Sequence, residues 1–570
     1  MVEDSKSHGV STPLDWIRIA ISLFLVTFSI IVVLALIATG NTQLARDVHP
    51  IAAGVILWAL IIWMSMVEGG QCSMVGLPPV DRELYRESHP ITYKITGWGH
   101  KGDNLDRYLM GRQFMVIFIN FTIGLCGAPL SGAKVFDLPD WVTAIFLGSG
   151  IAMVLQNVVV GQLTSQVNAS HMMLDYINNY FMVFTYWVAA AIEVTGVMHT
   201  SYLIRIMAYW AAGKPVESNE PPKTGATFAF FWGRVLFSVG VLSFALAVTI
   251  EALYRGKTSA WEGLNKTISL ILFIVLMCCV GLLEGMQIAF FTVAKLPKSE
   301  RGESPMALRT CECLFKNGGK NLPGFMCGRQ MTVTLCFFII ARVTTINVDV
   351  GKEDNIFNVP DGIQKYLFNL GFMGAITTTI LGSIAWQLVA SSFPIAFLGN
   401  PIVYVFLQAA LFLEATGICS AAWFLALCQR KICGFQYDEV YIGTPEERAA
   451  KGHADDTHAD DTLGLGTYIR GTGVGTDELA EKFRPLSKLQ ATYSSRREHI
   501  LSNIKELRSQ IAGISGEGSL DATLKDTLES ALQLEISALS RLNDQEMESK
   551  RFNEADKMDA IVEADSSEQV

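Results

Sequence analysis

The chain has 570 residues, half of them apolar and 17% charged, with a mean hydropathy of +0.33. A soluble domain this apolar would need more charge to stay in solution, and the net charge of −10 argues against a nucleic-acid partner. The apolar residues gather in runs of 17 or more with few charges, the length that crosses ~30 Å of hydrocarbon at ~1.5 Å per residue.

Residues 1–15 are polar, and the run behind them, Trp16–Thr39, is too long for the apolar region of a signal peptide. It reads as a span that stays. Ten spans are predicted, near 16–39, 50–67, 113–130, 141–160, 181–199, 228–250, 267–283, 331–346, 366–389 and 400–427. Cys126, Cys278, Cys279, Cys336, Cys419 and Cys428 lie inside these runs and read as packing residues. The character changes at Gly434. Residues 434–475 are expected to form an acidic flexible linker that includes the duplication His453–Asp456 and His458–Asp461. In 476–550, Ile500, Ile504, Leu507 and Ile511 follow a heptad seam, and Leu520, Leu524, Leu528, Leu532, Leu539 and Leu542 mark a second amphipathic helix. This region is expected to be a helical hairpin or coiled coil, a candidate contact for a second copy or a protein partner, with 551–570 a disordered tail.

The most informative feature is an internal repeat. Glu68-Gly69-Gly70-Gln71 recurs as Glu284-Gly285-Met286-Gln287, 216 residues on. Gly111-Arg112-Gln113 recurs as Gly328-Arg329-Gln330 at 217, and both Gly161–Gln166 and Glu193-Val194-Thr195-Gly196 recur at 221, as Gly382–Gln387 and Glu414-Ala415-Thr416-Gly417. The predicted fold is therefore an all-α membrane protein of two five-helix repeats, 16–212 and 213–433. Because five is odd, the second copy is expected to enter the membrane from the opposite side, giving the inverted repeat common in secondary transporters.

Such an inversion puts the basic connection with Arg82, Arg86, Lys94, Lys101 and Arg107 opposite the one with Lys295, Lys298, Arg301, Arg309, Lys316 and Lys320. The positive-inside rule then nearly ties. The long charged tail and Arg430-Lys431 after the last span favour both termini in the cytoplasm. That topology also places the sequon Asn265-Lys266-Thr267 inside.

The EGxQ motif lies between apolar runs, Ile51–Val67 before it and Cys72–Val80 after it, and the second copy matches. A helix break at membrane depth is expected there, opened by glycine and tolerated where it lines a wet cavity. A charge at depth costs at least ~2.5–3.5 kcal/mol, so Glu68, Glu284, Glu193 and Glu414 should face a cavity, be protonated or be paired, with Arg112 and Arg329 the natural cations for the motif carboxylates. Four Gly-x-Gln units (Gly69/Gln71, Gly111/Gln113, Gly285/Gln287 and Gly328/Gln330) offer amides, which both donate and accept. They suit a neutral polyhydroxylated solute. The carboxylates with Thr195 and Thr416 offer the oxygen ligands that a hard cation such as Na⁺ prefers.

These paired EGxQ and GRQ motifs, the ten spans in two halves and the coiled-coil-like tail resemble the silicon (silicic acid) transporters of diatoms, over the whole chain from first span to tail. The resemblance implies Na⁺-coupled uptake of orthosilicic acid across the plasma membrane by a multi-pass protein, with the silica deposition vesicle or another internal membrane as the other location. It implies that Gln71, Gln113, Gln287, Gln330 and their glycines contact the solute. No motif fixes the Na⁺ ligands, and no other cofactor is implied. Orthosilicic acid is neutral at physiological pH and carries four hydroxyls, which fits the amide-rich set.

Other readings are a transporter or channel for boric or arsenious acid, or a receptor with a signalling tail. An aquaporin-type pore would need twin Asn-Pro-Ala motifs, and Asn400-Pro401-Ile402 is the nearest approach. Enzyme motifs are lacking: there is no P-loop and no His-Glu-x-x-His.

Overall fold

The computed structural model describes residues 13–438 apart from 47, 79, 81, 131, 214–223, 262, 295–303, 320, 352–353, and beyond them residues 441, 504–505, 511, 528 and 532–533. It divides into two units, Met1–Asp477 and Glu478–Val570. In the second unit Ile504, Lys505, Ile511, Leu528, Leu532 and Gln533 are helical. Of the acidic linker, residues 434–438 and 441 are described; the rest of it, the terminal tail and the rest of the expected hairpin lie outside the described residues.

The first unit is almost wholly helical. Its main helices are α1 Pro13–Ala38, α2 Pro50–Gly76, α3 Asn104–Gly127, α4 Ile151–His171, α5 Tyr180–Val194, α6 Thr200–Ala211, α7 Gly225–Arg255, α8 Lys266–Ala294, α9 Asn321–Thr344, α10 Phe372–Ser392, α11 Pro401–Ala415 and α12 Ala421–Cys433. Among the described residues there are no strands, only the isolated bridges Thr42–Pro129 and Thr258–Ile346. Among the described residues, seven helices are long and apolar enough to cross a membrane. They become eight when Asp140–Gly148 and α4, which meet at 49°, count as one bent span. Gly150, at φ +82°, makes that bend, and Gly371, at φ +74°, stands at the same place before α10. Only glycine adopts such dihedrals without strain. The exposed apolar side chains of α1 (Ile17, Ile21, Phe24) and α7 (Phe230, Leu236, Phe237) are suited to face lipid, whereas α3 and α9 form the buried centre.

The structure corrects the inverted ten-span expectation. The connection after α1 meets the connection after α9 where Arg46 Nη2 stands 4.0 Å from Asp349 Oδ1. After α7, Trp261 Nε1 donates to the Gly148 carbonyl at 2.9 Å, and the Ser259 amide donates to the Thr345 carbonyl at 2.9 Å. The C-terminal ends of α1, α3, α7 and α9 therefore lie at one end of the bundle, where an inverted pair would set copies a membrane thickness apart. The fifth segment explains the difference. It is two helices of 15 and 12 residues, each shorter than the ~30 Å core at ~1.5 Å per residue. After the turn at Gly196, α6 comes back to the start of α3, where Arg205 Nη1 lies 3.6 Å from Asp106 Oδ2. The α5–α6 hairpin enters and leaves at the same end, and α11–α12 repeats it. With the bent pair counted as one, four candidate spans stand in each half among the described residues, an even number, so the corresponding helices of the two halves run parallel.

The start of α1 and the end of α12 share the other end of the bundle. Asp438 accepts from the Met173 and Leu174 amides at 2.8 Å each, just past the end of α4. His100 Nε2 donates to the Met74 carbonyl at 2.9 Å, which ties the connection before α3 to the end of α2.

Candidate functional site

The expected helix break at EGxQ is also absent. Glu68–Gln71 lie within the unbroken α2, and Glu284–Gln287 within the unbroken α8. The polar motif survives inside one long helix because it occupies a packed face and finds its partners there. Its glycines give room to neighbours. A Cβ on Gly69 would stand 2.4 Å from the Tyr176 ring, and one on Gly285 would stand 2.7 Å from Phe397. The glycines of GRQ are tighter still, since a Cβ on Gly111 or on Gly328 would lie 1.9 Å from the carbonyl oxygen of Ala189 or Ala410. Close backbone approach of this kind is the usual service of small residues between membrane helices.

In the first half, Glu68 and Arg112 are both 3% exposed, with Oε1 and Nη2 3.1 Å apart. Arg112 also donates from Nε to the Val67 carbonyl at 3.2 Å and from Nη1 to Gln113 Oε1 at 2.8 Å. Gln166 of α4 donates to the other Glu68 oxygen at 2.9 Å. The second half builds the same cluster: Arg329 Nη1 lies 3.6 Å from Glu284 Oε1 and donates to Gln330 Oε1 at 3.2 Å, while Gln387 donates to Glu284 Oε2 at 2.6 Å. One contact differs, for Arg329 Nη2 donates to Gln287 Oε1. Gln71, the first-half counterpart of Gln287, is buried on α2. Each cluster thus holds a buried charge pair, in which the arginine fixes a GRQ glutamine by its oxygen and leaves its amide nitrogen to donate elsewhere.

Glu193, Thr195, Glu414 and Thr416 are set apart from these clusters, at the turns of the two hairpins. Glu193 is buried, with Oε1 3.5 Å from His199 Nε2 and 4.0 Å from Arg234 Nη1. Glu414 is half-buried against Gly324. The hydroxyls of Thr195 and Thr416 are exposed and donate at 2.6 Å to the Ile192 and Leu413 carbonyls of their own helices. Two of the four oxygen donors expected for a cation are therefore already engaged in ending a helix.

Sequence reasoning missed the polar network at the centre. In α4 the helix widens to a π-turn over Gln156–Leu163, and in α10 over Thr378–Ile384. Such turns are frequent at functional sites. From the first of them, Asn157 Nδ2 donates to Asn120 Oδ1 at 2.7 Å. Gln162 Oε1 accepts from Gln330 Nε2 at 2.6 Å and from Thr334 Oγ1 at 2.9 Å. All five residues are buried. A legible signal existed, because Asn120, Asn157 and Gln162 are amides inside apolar runs, but Gln162 served there only to align the repeat.

Between the halves, at the end away from the start of α1 and the end of α12, a cavity of about 530 Å³ including open solvent is lined by residues such as Gln43, Gly124, Ser259 and Arg342, with the rings of Phe121 and Phe338. Among the described residues no group of three or more His, Cys, Asp or Glu could hold a metal ion.

A family model described as silicon transporter matches residues 10–557. No curated protein and no solved structure matches the chain. With nearly the full length matched by one family, and the EGxQ and GRQ residues gathered into paired clusters around a polar centre, this chain belongs to the silicon transporter family.

Proposed function

We propose that the protein is a Na⁺-coupled carrier that takes up orthosilicic acid across the plasma membrane by alternating access. The observation that carries this reading is the match of the silicon transporter family to residues 10–557. The chemistry of the buried centre supports it. Carboxamides and hydroxyls that both donate and accept suit a neutral solute with four hydroxyls, and the positive and negative groups present are already paired with each other, which leaves no net charge to attract an anion. Gln71, Gln113, Gln287 and Gln330 are the motif side chains assigned to the solute. Their glycines, Gly69, Gly111, Gly285 and Gly328, act by letting the helices approach. Glu68 and Glu284 are the proposed oxygen donors for Na⁺, released from Arg112 and Arg329 as the site changes shape.

Two parallel halves around a central site are a known plan for carriers that rock about it. The parallel arrangement also breaks the tie in charge. The basic connections between α2 and α3 and between α8 and α9, which hold ten Lys and Arg, leave and return at the same end as the start of α1 and the end of α12, whereas the connections at the other end hold five, Arg46, Lys134, Lys257, Lys352 and Lys365. By the positive-inside rule the termini are cytoplasmic and the cavity opens outward. Asn265 then falls on the outer face.

The test is uptake of silicic acid into liposomes holding the purified chain, with and without an inward Na⁺ gradient. Uptake that requires the gradient is the expected result. Uptake indifferent to Na⁺ removes the coupling, and uptake of boric or arsenious acid without silicic acid removes the substrate.

A further inference from the structure

The two motif clusters are copies of each other, but the polar network between them has no copy. Its members are Asn120 on α3, Asn157 and Gln162 on the π-turn of α4, and Gln330 and Thr334 on α9. At the corresponding positions the other half carries Phe337, Thr378, Ser383, Gln113 and Ile117. Only the motif glutamine is common to both. Duplication of a gene predicts two equal sites, so a single amide-rich network marks a place where the halves have diverged toward one task.

The network is neutral and incompletely satisfied. Gln162 Nε2 reaches Asn120 Oδ1 only at 3.4 Å, and Asn120 Oδ1 already accepts from Asn157. Asn157 Oδ1 is buried and makes no hydrogen bond. Both amide atoms of Gln156, which is fully buried at the head of the same π-turn, are also without a hydrogen bond. Buried amides left in this state are costly unless something else fills their valence.

Three members of the network stand near the cavity along their helices. Phe338 lines the cavity between the halves; Thr334 and then Gln330 follow at one-turn steps down the same face of α9. On α3, Asn120 adjoins Phe121, the partner ring in the cavity wall. Each ring packs on the bend of the opposite half: a Cβ on Gly150 would lie 3.8 Å from Phe338, and one on Gly371 would lie 3.3 Å from Phe121. A tilt of one half at its glycine bend therefore moves the ring contributed by the other.

We propose that Asn120, Asn157, Gln162, Gln330 and Thr334 form a single binding site for one molecule of a neutral tetrahydroxy acid per chain, entered from the cavity past Phe121 and Phe338. This rests on the silicic acid reading and narrows the binding site itself to Gln330 and four residues outside the Gly-x-Gln units, leaving Gln71, Gln113 and Gln287 to meet the solute on its way in and out. On entry the solute hydroxyls replace the long Gln162–Asn120 contact and supply a donor to Asn157 Oδ1. The arginine cluster keeps Gln330 turned so that its amide nitrogen faces the solute.

The experiment compares the full-length chain in liposomes with Gln162→Ser, Asn157→Thr and Thr334→Val, using silicic acid and radioactive germanic acid as probes. The first two variants install the residue that the other half carries, and the third removes one hydroxyl at constant shape, so at least one is expected to fold if another does not. The expected result is a KM raised about fivefold to tenfold or more for each folded variant, as for loss of one hydrogen bond to the solute, and one mole of silicic acid bound per mole of wild-type chain. Wild-type KM in the folded variants, or two molecules bound per chain, would overturn the proposal. Failure of the wild type itself to take up silicic acid, in the presence of a Na⁺ gradient, strikes the underlying family reading instead and removes this proposal with it; the wild-type arm keeps the two failures apart.

Discussion

Replacing Arg112 with methionine keeps most of the side-chain volume and helix propensity but leaves the Glu68 carboxylate without its cation. Of the partners around Glu68, only the Gln166 amide at 2.9 Å would remain. Glu68 is 3% exposed, so water cannot take the place of the guanidinium. Breaking a buried pair from one side costs about 3–5 kcal/mol, whereas removing both charges is close to neutral. Arg112→Met is therefore expected to destabilise by about 3–5 kcal/mol, and the double variant Glu68→Gln/Arg112→Met by about 1 kcal/mol or less. Reversible unfolding of the purified protein in mixed micelles, run as a double-mutant cycle, measures the difference. A coupling below about 0.5 kcal/mol, the value for independent sites, would refute the claim that these two residues are held as a buried pair. The same cycle on Glu284 and Arg329 is expected to give a smaller coupling, because the separation there is 3.6 Å rather than 3.1 Å and Arg329 also donates to Gln287.

Two other predictions test the architecture. Gly111→Ala and Gly328→Ala each place a methyl 1.9 Å from a carbonyl oxygen of the packed hairpin helix, while a Cβ on Gly54 meets nothing within 4 Å. The first two are expected to lose monodisperse protein on size exclusion and Gly54→Ala to keep it; equal yields for all three would show that the close approach is not required. For topology, cysteines introduced at Lys134, Lys257, Lys94 and Arg309 can be labelled with an impermeant maleimide on intact cells. Parallel halves put 134 with 257 and 94 with 309, so Lys134→Cys and Lys257→Cys should label from outside and the other two only after permeabilisation. Labelling of 134 together with 309 would restore the inverted arrangement.

Sequence alone determined a great deal here. Hydropathy set a membrane protein of long helices, because backbone in hydrocarbon must satisfy its own hydrogen bonds. Constant offsets of 216–221 residues exposed the repeat, and the four-residue motifs carried the family. What hydropathy could not decide was whether an apolar segment crosses or turns back. Segments 181–199 and 400–427 are apolar enough to cross, but the positive-φ glycines Gly196 and Gly417 fold each into a hairpin, and that one difference changes the parity of each half and reverses the relation between the copies. Nor could pattern tell a glycine that opens a helix from one that lets another helix close on it, since both look the same until the neighbour is known. The pairing of Glu68 with Arg112 was readable as a need for a countercharge. The meeting of Asn120, Asn157 and Gln162 with Gln330 and Thr334 was not, because it joins three helices from the two halves, at positions where, Gln330 apart, the repeat carries different residues, and only tertiary packing brings them within hydrogen-bond reach.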